Sequence, residues 1–366
     1  MRVLHITASD VWRGHEQQIV YYINEFSKKD NPQVLLCVPD TKLFEIAKTN
    51  KNCSVYSLPF KSVYSIKWLK LIYTIIKKEN IDIILIHNSK AQTMCVLSSL
   101  LFGWKTPMVY FRTLIKKVDT SYFRKWKYNY KGIKKIVCVS QAVIDKLQSA
   151  INDKNRLSIV GSATDLEEFH KKEKTGILHR ELNLPEDTLL IGNIAAFVPF
   201  KDHKTLVNAA ELIVKEITNV RFILIGIGEL ENEIKAMVTK KNLDPYFIFL
   251  GFRNDVPNIF PEFDVFLFPS KLEPTGGVLL EAYASHVPVV ACRAGGVPEV
   301  IVENETGLLC EPENFNEFSM KTLQLLKDKT LRDKLVTNGY QHLLQNFTKE
   351  IIANAMLHEL EEVLNN

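Results

Sequence analysis

Two glutamates that flank a pair of glycines form the stretch of this chain best suited to chemistry. Glu273 follows the apolar segment 265–268, and Gly276 and Gly277 then precede an apolar helical pattern that contains Glu281. A strand, a glycine-bearing turn and a helix N-terminus present free backbone N–H groups and the positive end of a helix dipole, which favour an anion. Glycines also let a ligand approach the backbone closely. The stretch therefore predicts a site for a phosphorylated ligand.

The spacing of the two carboxylates suits a sugar nucleotide. Glu281 lies about 7 Å beyond the first glycine along a helix that rises 1.5 Å per residue. Glu273 would then bind sugar hydroxyls, the backbone amides between the glutamates would hold a diphosphate, and Glu281 would accept hydrogen bonds from ribose hydroxyls. A helix-capping glutamate and an ordinary surface glutamate are the less specific alternative.

The same stretch resembles the E-x7-E signature of family four, the retaining nucleotide-sugar glycosyltransferases of the GT-B fold (glycosyl transferases group 1), in its surface-glycan biosynthesis type. The blocks that carry the resemblance are EPTGGVLLEA at 273–282, ASHVPVVA at 284–291, GGVPEV at 295–300 and ETGLL at 305–309. Their spacing matches the family throughout. The resemblance implies that the donor is bound by Glu273, Thr275, Gly276, Gly277, Val278, Leu279 and Glu281.

Length and composition set limits on the class of protein. A chain of 366 residues predicts two domains rather than one. With 46% hydrophobic and 24% charged residues, the chain can bury sizeable cores, and the composition argues against wholesale disorder. The six cysteines form no CxxC pair. They indicate buried thiols in a reducing compartment, rather than a disulfide framework or a zinc site.

The sequence shows no pattern of a targeting signal or a membrane span. The chain enters a predicted strand at residue 3 without the pattern of a signal peptide. No apolar run reaches the roughly 18 residues that a membrane span needs. We therefore expect a cytoplasmic protein, or one that is peripheral at the inner face of the cell membrane.

Apolar strands alternate with amphipathic helices through both halves of the chain. Strands are predicted at 3–7, 33–38, 54–57, 83–86, 107–111, 135–139, 189–195, 220–225, 247–250, 265–268 and 288–291. Helices are predicted at 16–27, 66–78, 90–101, 141–149, 205–217, 232–240, 315–326, 331–347 and 349–364. Such alternation predicts parallel sheets covered on both faces, with ligands at the carboxyl ends of the strands.

The fold class expected is therefore α/β. The resemblance specifies GT-B, two Rossmann-like doubly wound domains that face a cleft. A charged run without periodicity, residues 170–176, marks the domain boundary. We expect an acceptor-binding domain at 1–172 and a donor-binding domain at 173–349. In the resembled family the last helix crosses back, so residues 350–366 are expected to pack on the N-terminal domain.

Three further positions are candidates for donor binding. Lys201 follows the first strand of the second half, where the family has a lysine that binds the pyrophosphate; a solvated lysine is the alternative. Ala196 stands where the family usually has an arginine. The turn ending at Gly228 resembles a family turn near the donor, and it lacks the third glycine of a dinucleotide fingerprint. Arg253 could stack on the nucleotide base or be an exposed loop residue.

Candidates for the acceptor side lie in the first half. Gly14 and His15 belong to the loop after the first strand, where the family typically has two glycines and only the second is kept. An ordinary turn is the alternative. His87 and Lys90 follow a predicted strand and resemble the H-S-x-K-A block of a subgroup acting on lipopolysaccharide, capsule or related glycans. This position predicts that His87 lies outside the core; a histidine bonded to a neighbouring carbonyl is the alternative. Arg112, in place of a frequent histidine, could anchor a phosphate or carboxylate.

A basic and aromatic stretch runs from 112 to 135. It contains nine lysines and arginines against one acid, with Tyr, Phe and Trp residues between them. Basic residues near an anionic leaflet contribute about 1 kcal/mol each, and Trp and Tyr favour the interface. A peripheral membrane surface holding a lipid-linked acceptor is one interpretation, and a solvated helix face is another. Nucleic acid is the third, without any supporting motif.

These observations together predict transfer of a hexose from a UDP- or GDP-sugar to a hydroxyl of a lipid-linked or growing cell-surface glycan. The resemblance implies retention of the anomeric configuration, and no cofactor or metal besides the nucleotide-sugar co-substrate; no D-x-D occurs in the chain. Lys201, Glu273 and His87 are the expected catalytic residues. Expected partners are the donor, the glycan acceptor and an anionic membrane, and not nucleic acid. A sugar-nucleotide 2-epimerase on the same fold and a non-catalytic membrane- or nucleic-acid-binding module stay open as alternatives.

Overall fold

The computed structural model describes residues 1–29, 31–116, 118, 121–169 and 173–365. The chain separates into two compact units. The first unit comprises Met1–Ala163 and Lys349–Asn366, and the second comprises Thr164–Thr348. The domain boundary expected at 172 lies outside the described residues, as do Lys117 and Asp119 of the basic stretch.

Each unit contains one set of strands. Those of the first unit are β1 (Val3–Ile6), β2 (Gln33–Cys37), β3 (Cys53–Ser57), β4 (Ile83–Ile86), β5 (Met108–Arg112), β6 (Ile133–Cys138) and β7 (Leu157–Ile159). Those of the second unit are β8 (Leu189–Ile194), β9 (Val220–Ile225), β10 (Phe247–Gly251), β11 (Val265–Phe268), β12 (Val289–Cys292) and β13 (Leu308–Cys310).

Helices connect the strands. The first unit begins with α1 (Gly14–Ser27), α2 (Lys42–Thr49), α3 (Ile66–Lys78), α4 (Ser89–Phe102), α5 (Tyr122–Tyr128) and α6 (Gln141–Leu147). The second unit contains α7 (Leu166–Phe169), α8 (Ile177–Glu181), α9 (His203–Glu216), α10 (Glu231–Lys240), α11 (Val256–Ile259), α12 (Gly277–Ala284), α13 (Val297–Val300), α14 (Phe315–Lys327) and α15 (Lys329–Asn346). The final helix, α16 (Lys349–Asn365), belongs to the first unit. No helix in the described part of the chain is both long enough and apolar enough to span a bilayer.

Both sheets are parallel and doubly wound, as the sequence predicts. The first follows the order β3-β2-β1-β4-β5-β6-β7, and the second follows β10-β9-β8-β11-β12-β13. In each sheet the chain leaves the first strand in one direction and returns on the opposite side, so a switch point lies between β1 and β4 and between β8 and β11. Ligands of open α/β sheets bind beyond the carboxyl ends of the strands at such points. The loops after these four strands are therefore the expected ligand-binding loops.

Strand positions follow the apolar runs of the sequence. Strands β4, β9 and β11 have the bounds that the pattern predicts, and every residue of β4 is buried because helices cover both faces of the sheet. The pattern missed β7 and β13, which are three-residue strands at sheet edges. Runs this short carry no recognisable period.

The C-terminal helix packs in the first unit, which confirms the expected crossing. Its buried residues recur every three or four positions along one face: Ile352, Ala353, Met356, Leu357 and Leu360. These residues join the apolar core of the first unit. Along the same helix, Glu359 and Glu362 both pair with Lys135 of β6, the latter at 2.5 Å between Nζ and Oε2. Burial of the apolar face is the main stabilising term, and the ion pairs fix the register.

Candidate active-site residues in the two units

In the second unit the structure brings Lys201 and Glu273 together. Lys201 ends a short 3-10 turn after β8, and Glu273 lies in the loop after β11. Because β8 and β11 are adjacent, their carboxyl ends lie side by side, and Lys201 Nζ is 2.5 Å from Glu273 Oε2. The ammonium also lies 4.9 Å from the centroid of the Phe268 ring. The ion pair therefore lies at the switch point of the sheet, and its ammonium contacts the Phe268 ring.

Helix α12 begins beside this pair. Gly276 has φ +83°, and a Cβ there would lie 2.8 Å from Leu279 Cδ1, so only glycine suits the position. The N–H groups of Gly277 and Val278 belong to the first turn and have no partner within the helix. Leu279 differs, because its N–H donates to the Gly276 carbonyl at 2.9 Å and its side chain is buried. Of the expected amides, those of Gly277 and Val278 are therefore the ones oriented to receive an anion.

The turn ending at Gly228 packs on the loop that carries Lys201. A Cβ at Gly228 would lie 2.5 Å from the carbonyl oxygen of Phe197. Leu230 N–H donates to that same oxygen at 3.0 Å, and Phe197 N–H donates to the Ile227 carbonyl at 3.2 Å. The glycine thus lets two loops share hydrogen bonds, which fixes the backbone just before Lys201.

Arg253 is engaged in ion pairs. Its guanidinium binds Glu181 at 2.5 Å between Nη1 and Oε1, and Asp255 at 2.7 Å between Nη2 and Oδ2. The hydrogen bonds to Asp255 and Glu181 raise the pKa of Arg253 above its ordinary value. Its assignment to the nucleotide base stays a prediction.

Glu281 lies on the second turn of α12 and is partly exposed. Burial, together with the negative charge of Glu168 on α7, raises its pKa to about 7. A carboxyl group in this state accepts a proton easily near neutrality. Glu168 gives no signal in the sequence, because it lies in a polar segment far from the donor motifs.

In the first unit His87 is buried, at 2% exposure, so the expectation that it lies outside the core is wrong. It follows β4, and its Nε2 lies 2.9 Å from Nδ1 of His5 on β1. His5 Nε2 in turn lies 2.8 Å from Gln33 Oε1 on β2. A row of polar side chains therefore crosses three adjacent strands within an apolar sheet.

The hydrogen bonds fix the tautomers along this row. Gln33 Nε2 donates to the Asn31 carbonyl at 2.6 Å, so Gln33 Oε1 faces His5 and accepts from its Nε2–H. His5 Nδ1 is then bare and accepts from His87 Nε2–H. His87 Nδ1 is left as a buried acceptor that has no hydrogen-bond partner among the described residues. The row ends in a buried imidazole lone pair.

These histidines are neutral at pH 7. Burial lowers the pKa of His5 to about 4. Burial lowers the pKa of His87 well below its usual value, and the neighbouring His5 and His15 act in the same direction. Burial also lowers the pKa of His15. The row therefore offers a hydrogen-bond acceptor rather than a cation.

The other acceptor-side candidates lie at three different places in the first unit. Gly14 starts α1, and the His15 ring centroid lies 5.8 Å from that of His87, with its Nδ1 3.3 Å from Thr113 Oγ1. Arg112 ends β5 and is buried. Lys90 is exposed, and its Nζ lies 4.7 Å from the Phe60 ring centroid rather than within the histidine row.

Comparison with known proteins decides the family. The model of glycosyl transferases group 1 matches residues 174–342. An uncharacterized glycosyltransferase of Methanocaldococcus jannaschii is 31% identical over 302 residues, which cover 79% of each chain. The chain belongs to the glycosyl transferases group 1 family. It is a glycosyltransferase, as the E-x7-E resemblance implied.

Two further comparisons extend over nearly the whole glycosyltransferase. The UDP-Gal:alpha-D-GlcNAc-diphosphoundecaprenol alpha-1,3-galactosyltransferase of Escherichia coli is 27% identical over 343 residues, 87% of this chain and 85% of that one. The crystal structure of HepE from Anabaena in complex with UDP-glucose matches with a TM-score of 0.86 at 20% identity, over 99% of this chain and 100% of that one. The structural match confirms the GT-B fold.

The sequence analysis missed three polar residues of the glycosyltransferase because their immediate neighbours in the chain conceal them. His5 and Gln33 lie inside strands, where an apolar neighbourhood hides a polar role, and Lys127 is one lysine in a lysine-rich stretch. The one signal for His5 is a titratable residue in the middle of the apolar strand VLHI.

Removing the acceptor at the start of the row should disturb both stability and tautomer. In Gln33→Met the Nε2–H of His5 loses its buried partner, so we expect a loss of about 1–3 kcal/mol of unfolding free energy. Urea unfolding measures the loss. Nitrogen-15 NMR of the histidine rings should show His87 as the Nε2–H tautomer in the wild type and a mixture in the variant. The same substitution at the exposed Gln341 is the control, and an unchanged His87 spectrum in Gln33→Met would refute the row.

A second prediction concerns Glu281 and pH. Its folded pKa lies above its unfolded value, so the folded state binds the proton more tightly, and stability falls as pH rises from about 4.5 to about 7. Glu281→Gln lacks this loss. The variant should therefore gain stability relative to the wild type across that window, by at most about tenfold in the unfolding constant per pH unit. Chemical unfolding at each pH measures it, with the exposed Glu305→Gln as control; a pH-independent difference would contradict the assignment.

Proposed function

We propose that this glycosyltransferase transfers a hexose from a UDP- or GDP-sugar to a hydroxyl of a lipid-linked or growing cell-surface glycan. Transfer proceeds with retention of the anomeric configuration and without a metal. The observation that carries the proposal is the Lys201–Glu273 ion pair beside the glycine-initiated helix α12. It unites a phosphate-binding cation, free amides and a sugar-binding carboxylate at one switch point.

The chemistry of this pair follows from charge. In the free protein Glu273 neutralises Lys201, and both side chains are mostly shielded from water. A donor diphosphate carries more negative charge than one carboxylate, so Lys201 pairs with the diphosphate instead of Glu273. Glu273 then becomes free to accept hydrogen bonds from sugar hydroxyls. The positive end of α12 and Lys201 then stabilise the negative charge that develops on the departing diphosphate. Glu281, one turn further on, accepts hydrogen bonds from the ribose.

His87 is assigned to the acceptor side. Its bare Nδ1 accepts a hydrogen bond from a substrate hydroxyl, and its low pKa keeps that lone pair available at neutral pH. Gly14, His15 and Arg112 belong to the same edge of the first sheet and are assigned with it. Gly14 and His15 start α1, and Arg112 ends β5.

The names of the relatives support the donor and acceptor classes. The Escherichia coli relative is named for a UDP-galactose donor and an acceptor linked to diphosphoundecaprenol. The HepE structure contains UDP-glucose. Both support a UDP-sugar as the first donor to test, and the former supports a lipid diphosphate acceptor. Thermal-shift screening with UDP- and GDP-sugars identifies the donor that binds. Analysis of the reaction products for free epimer then separates transfer from 2-epimerisation.

The surface of α5 supports contact with an anionic membrane. Tyr122 is 89% exposed, and Phe123 and Leu114 are also exposed among the cations Arg124 and Lys125. Exposed aromatic and apolar side chains that are interleaved with basic residues suit the headgroup region of an anionic bilayer.

Lys201→Ala should abolish detectable donor turnover while the fold persists, because the diphosphate loses its cation. Turnover is measured as release of UDP or GDP, and circular dichroism checks the fold. Lys204→Ala removes a more exposed lysine of α9 and is the control. Lys201→Ala with Glu273→Gln removes the carboxylate left unpaired, so it separates a folding defect from a catalytic one. Near-normal turnover in Lys201→Ala would remove the proposed site.

A paired substitution tests the membrane surface. Tyr122→Ser with Phe123→Ser should weaken co-sedimentation with vesicles of phosphatidylglycerol and phosphatidylcholine by about tenfold, or about 1.4 kcal/mol. Met320→Ser with Val302→Ser, which are exposed apolar positions of the second unit, should leave binding unchanged. Equal binding by wild type and the α5 variant would contradict this surface.

A further inference from the structure

Two buried cations share one region of the first unit. Lys127 of α5 is 6% exposed, and Arg112 at the end of β5 is 4% exposed. Lys127 Nζ and Arg112 Cζ each lie 5.7 Å from the centroid of the Tyr128 ring. Within the described ranges, neither side chain reaches a carboxylate at ion-pair distance; their hydrogen bonds go to hydroxyl and carbonyl oxygens.

The partners of Lys127 lie on the first turns of α4. Its Nζ donates to Ser89 Oγ at 3.0 Å and to Thr93 Oγ1 at 3.1 Å, with a longer contact of 3.4 Å to the Ser89 carbonyl. This end of α4 carries the positive pole of the helix dipole. A buried ammonium at a helix N-terminus is therefore placed against the local field, and its neighbours add no negative charge.

Arg112 is incompletely satisfied in the same region. Its Nη1 donates to Tyr128 Oη at 2.6 Å, and its Nη2 donates to the Lys116 carbonyl at 2.7 Å. Its Nε is buried and has no hydrogen-bond partner among the described residues. A guanidinium with one orphaned donor and one donor on a neutral carbonyl can accept a better partner, because charged oxygens bind guanidinium more strongly.

The cations oppose each other electrostatically. Burial and, to a lesser extent, the positive charges of Arg112 and Arg124 together lower the pKa of Lys127 to about 8. Burying a charge without a counter-ion is costly, and apolar replacements of such charges often stabilise a protein. The free first unit therefore carries an arrangement that is unfavourable by itself and that an incoming anion would relieve.

We propose that Arg112, Lys127 and the first turn of α4 form a binding site for a phosphate group of the acceptor. The proposal rests on the proposed function, because the acceptor is the second substrate of that transfer. A phosphate oxygen replaces the Lys116 carbonyl on Arg112 and engages the orphaned Nε. The hydroxyls of Ser89 and Thr93 turn to donate to the same group. A tetrahedral oxyanion suits donors that approach from several directions.

Pyrophosphate is the probe, and a Lys201→Ala background removes the lysine assigned to the donor diphosphate. We expect millimolar pyrophosphate to raise the melting temperature of Lys201→Ala, and we expect Lys201→Ala with Lys127→Met to lose that response. Lys201→Ala with Lys125→Met, at an exposed lysine of the same helix, should keep it. Without pyrophosphate, Lys127→Met should melt at the same temperature as its parent or higher, because it removes an unpaired buried charge.

Three results of the pyrophosphate experiment would overturn the site. These are no pyrophosphate response in Lys201→Ala, an undiminished response with Lys127→Met, and an equal loss with Lys125→Met, which would indicate general surface charge. A Lys127→Met protein that melts well below its parent would show that the ammonium is a structural hydrogen-bond donor instead.

Nucleotide binding distinguishes the two sources of phosphate. In calorimetry, Lys127→Met should bind UDP with the same affinity as the wild type. In turnover assays, its KM for a diphosphate-linked acceptor should rise about tenfold or more. Loss of UDP affinity in Lys127→Met would show that the site binds the donor and not the acceptor. A failure of the proposed function would be detected separately, because Lys201→Ala would then still turn over the donor. The pyrophosphate response is a binding measurement and requires no turnover.

Discussion

A cation held away from water needs a negative partner, and at the edge of the second sheet Glu273 supplies it to Lys201. The pair is possible because β8 and β11 are neighbours, so two loops that are far apart in the chain end at the same place. The Phe268 ring below the ammonium reduces solvent access, which strengthens the attraction. Much of the surrounding geometry serves this contact. Glycine packing at Gly228 fixes the backbone before Lys201, and the left-handed turn at Gly276 directs α12 toward the pair.

The first unit solves the problem of buried polarity in two contrasting ways. His5, His87 and Gln33 stay neutral, and each donor in the row finds an acceptor, so the sheet tolerates them. Arg112 and Lys127 keep their charge and have only hydroxyl and carbonyl partners. A neutral network in which each donor is paired stabilises one arrangement of the protein, whereas buried charges without a counter-ion are costly until an anion binds. One member of each cluster, His87 and Arg112, lies at the carboxyl end of a strand, and these two strands, β4 and β5, are adjacent.

Much of the fold could be predicted from sequence because parallel strands buried on both faces appear as uninterrupted apolar runs. The β11 run and the glycines after it also predicted correctly that Glu273 lies in a loop and that Glu281 lies in the helix that follows. The rest depended on pairing between distant segments. Nothing near His5 indicates that β4 lies beside β1, so its contact with His87 could not be read from the sequence. Lys127 could not be distinguished from its exposed neighbours, because α5 is too short for a reliable period.

The way the chain divides has a consequence for biosynthesis. The second unit is one uninterrupted segment, whereas the first is built from two segments that flank it in the chain, so α16 is synthesised after the second unit. Residues 164–348 can thus mature while the earlier-made sheet still lacks the helix that closes its core over Ile352, Met356 and Leu360. Until α16 has been synthesised, that sheet exposes apolar side chains to solvent, and a nascent polypeptide in this condition is a natural client for chaperones.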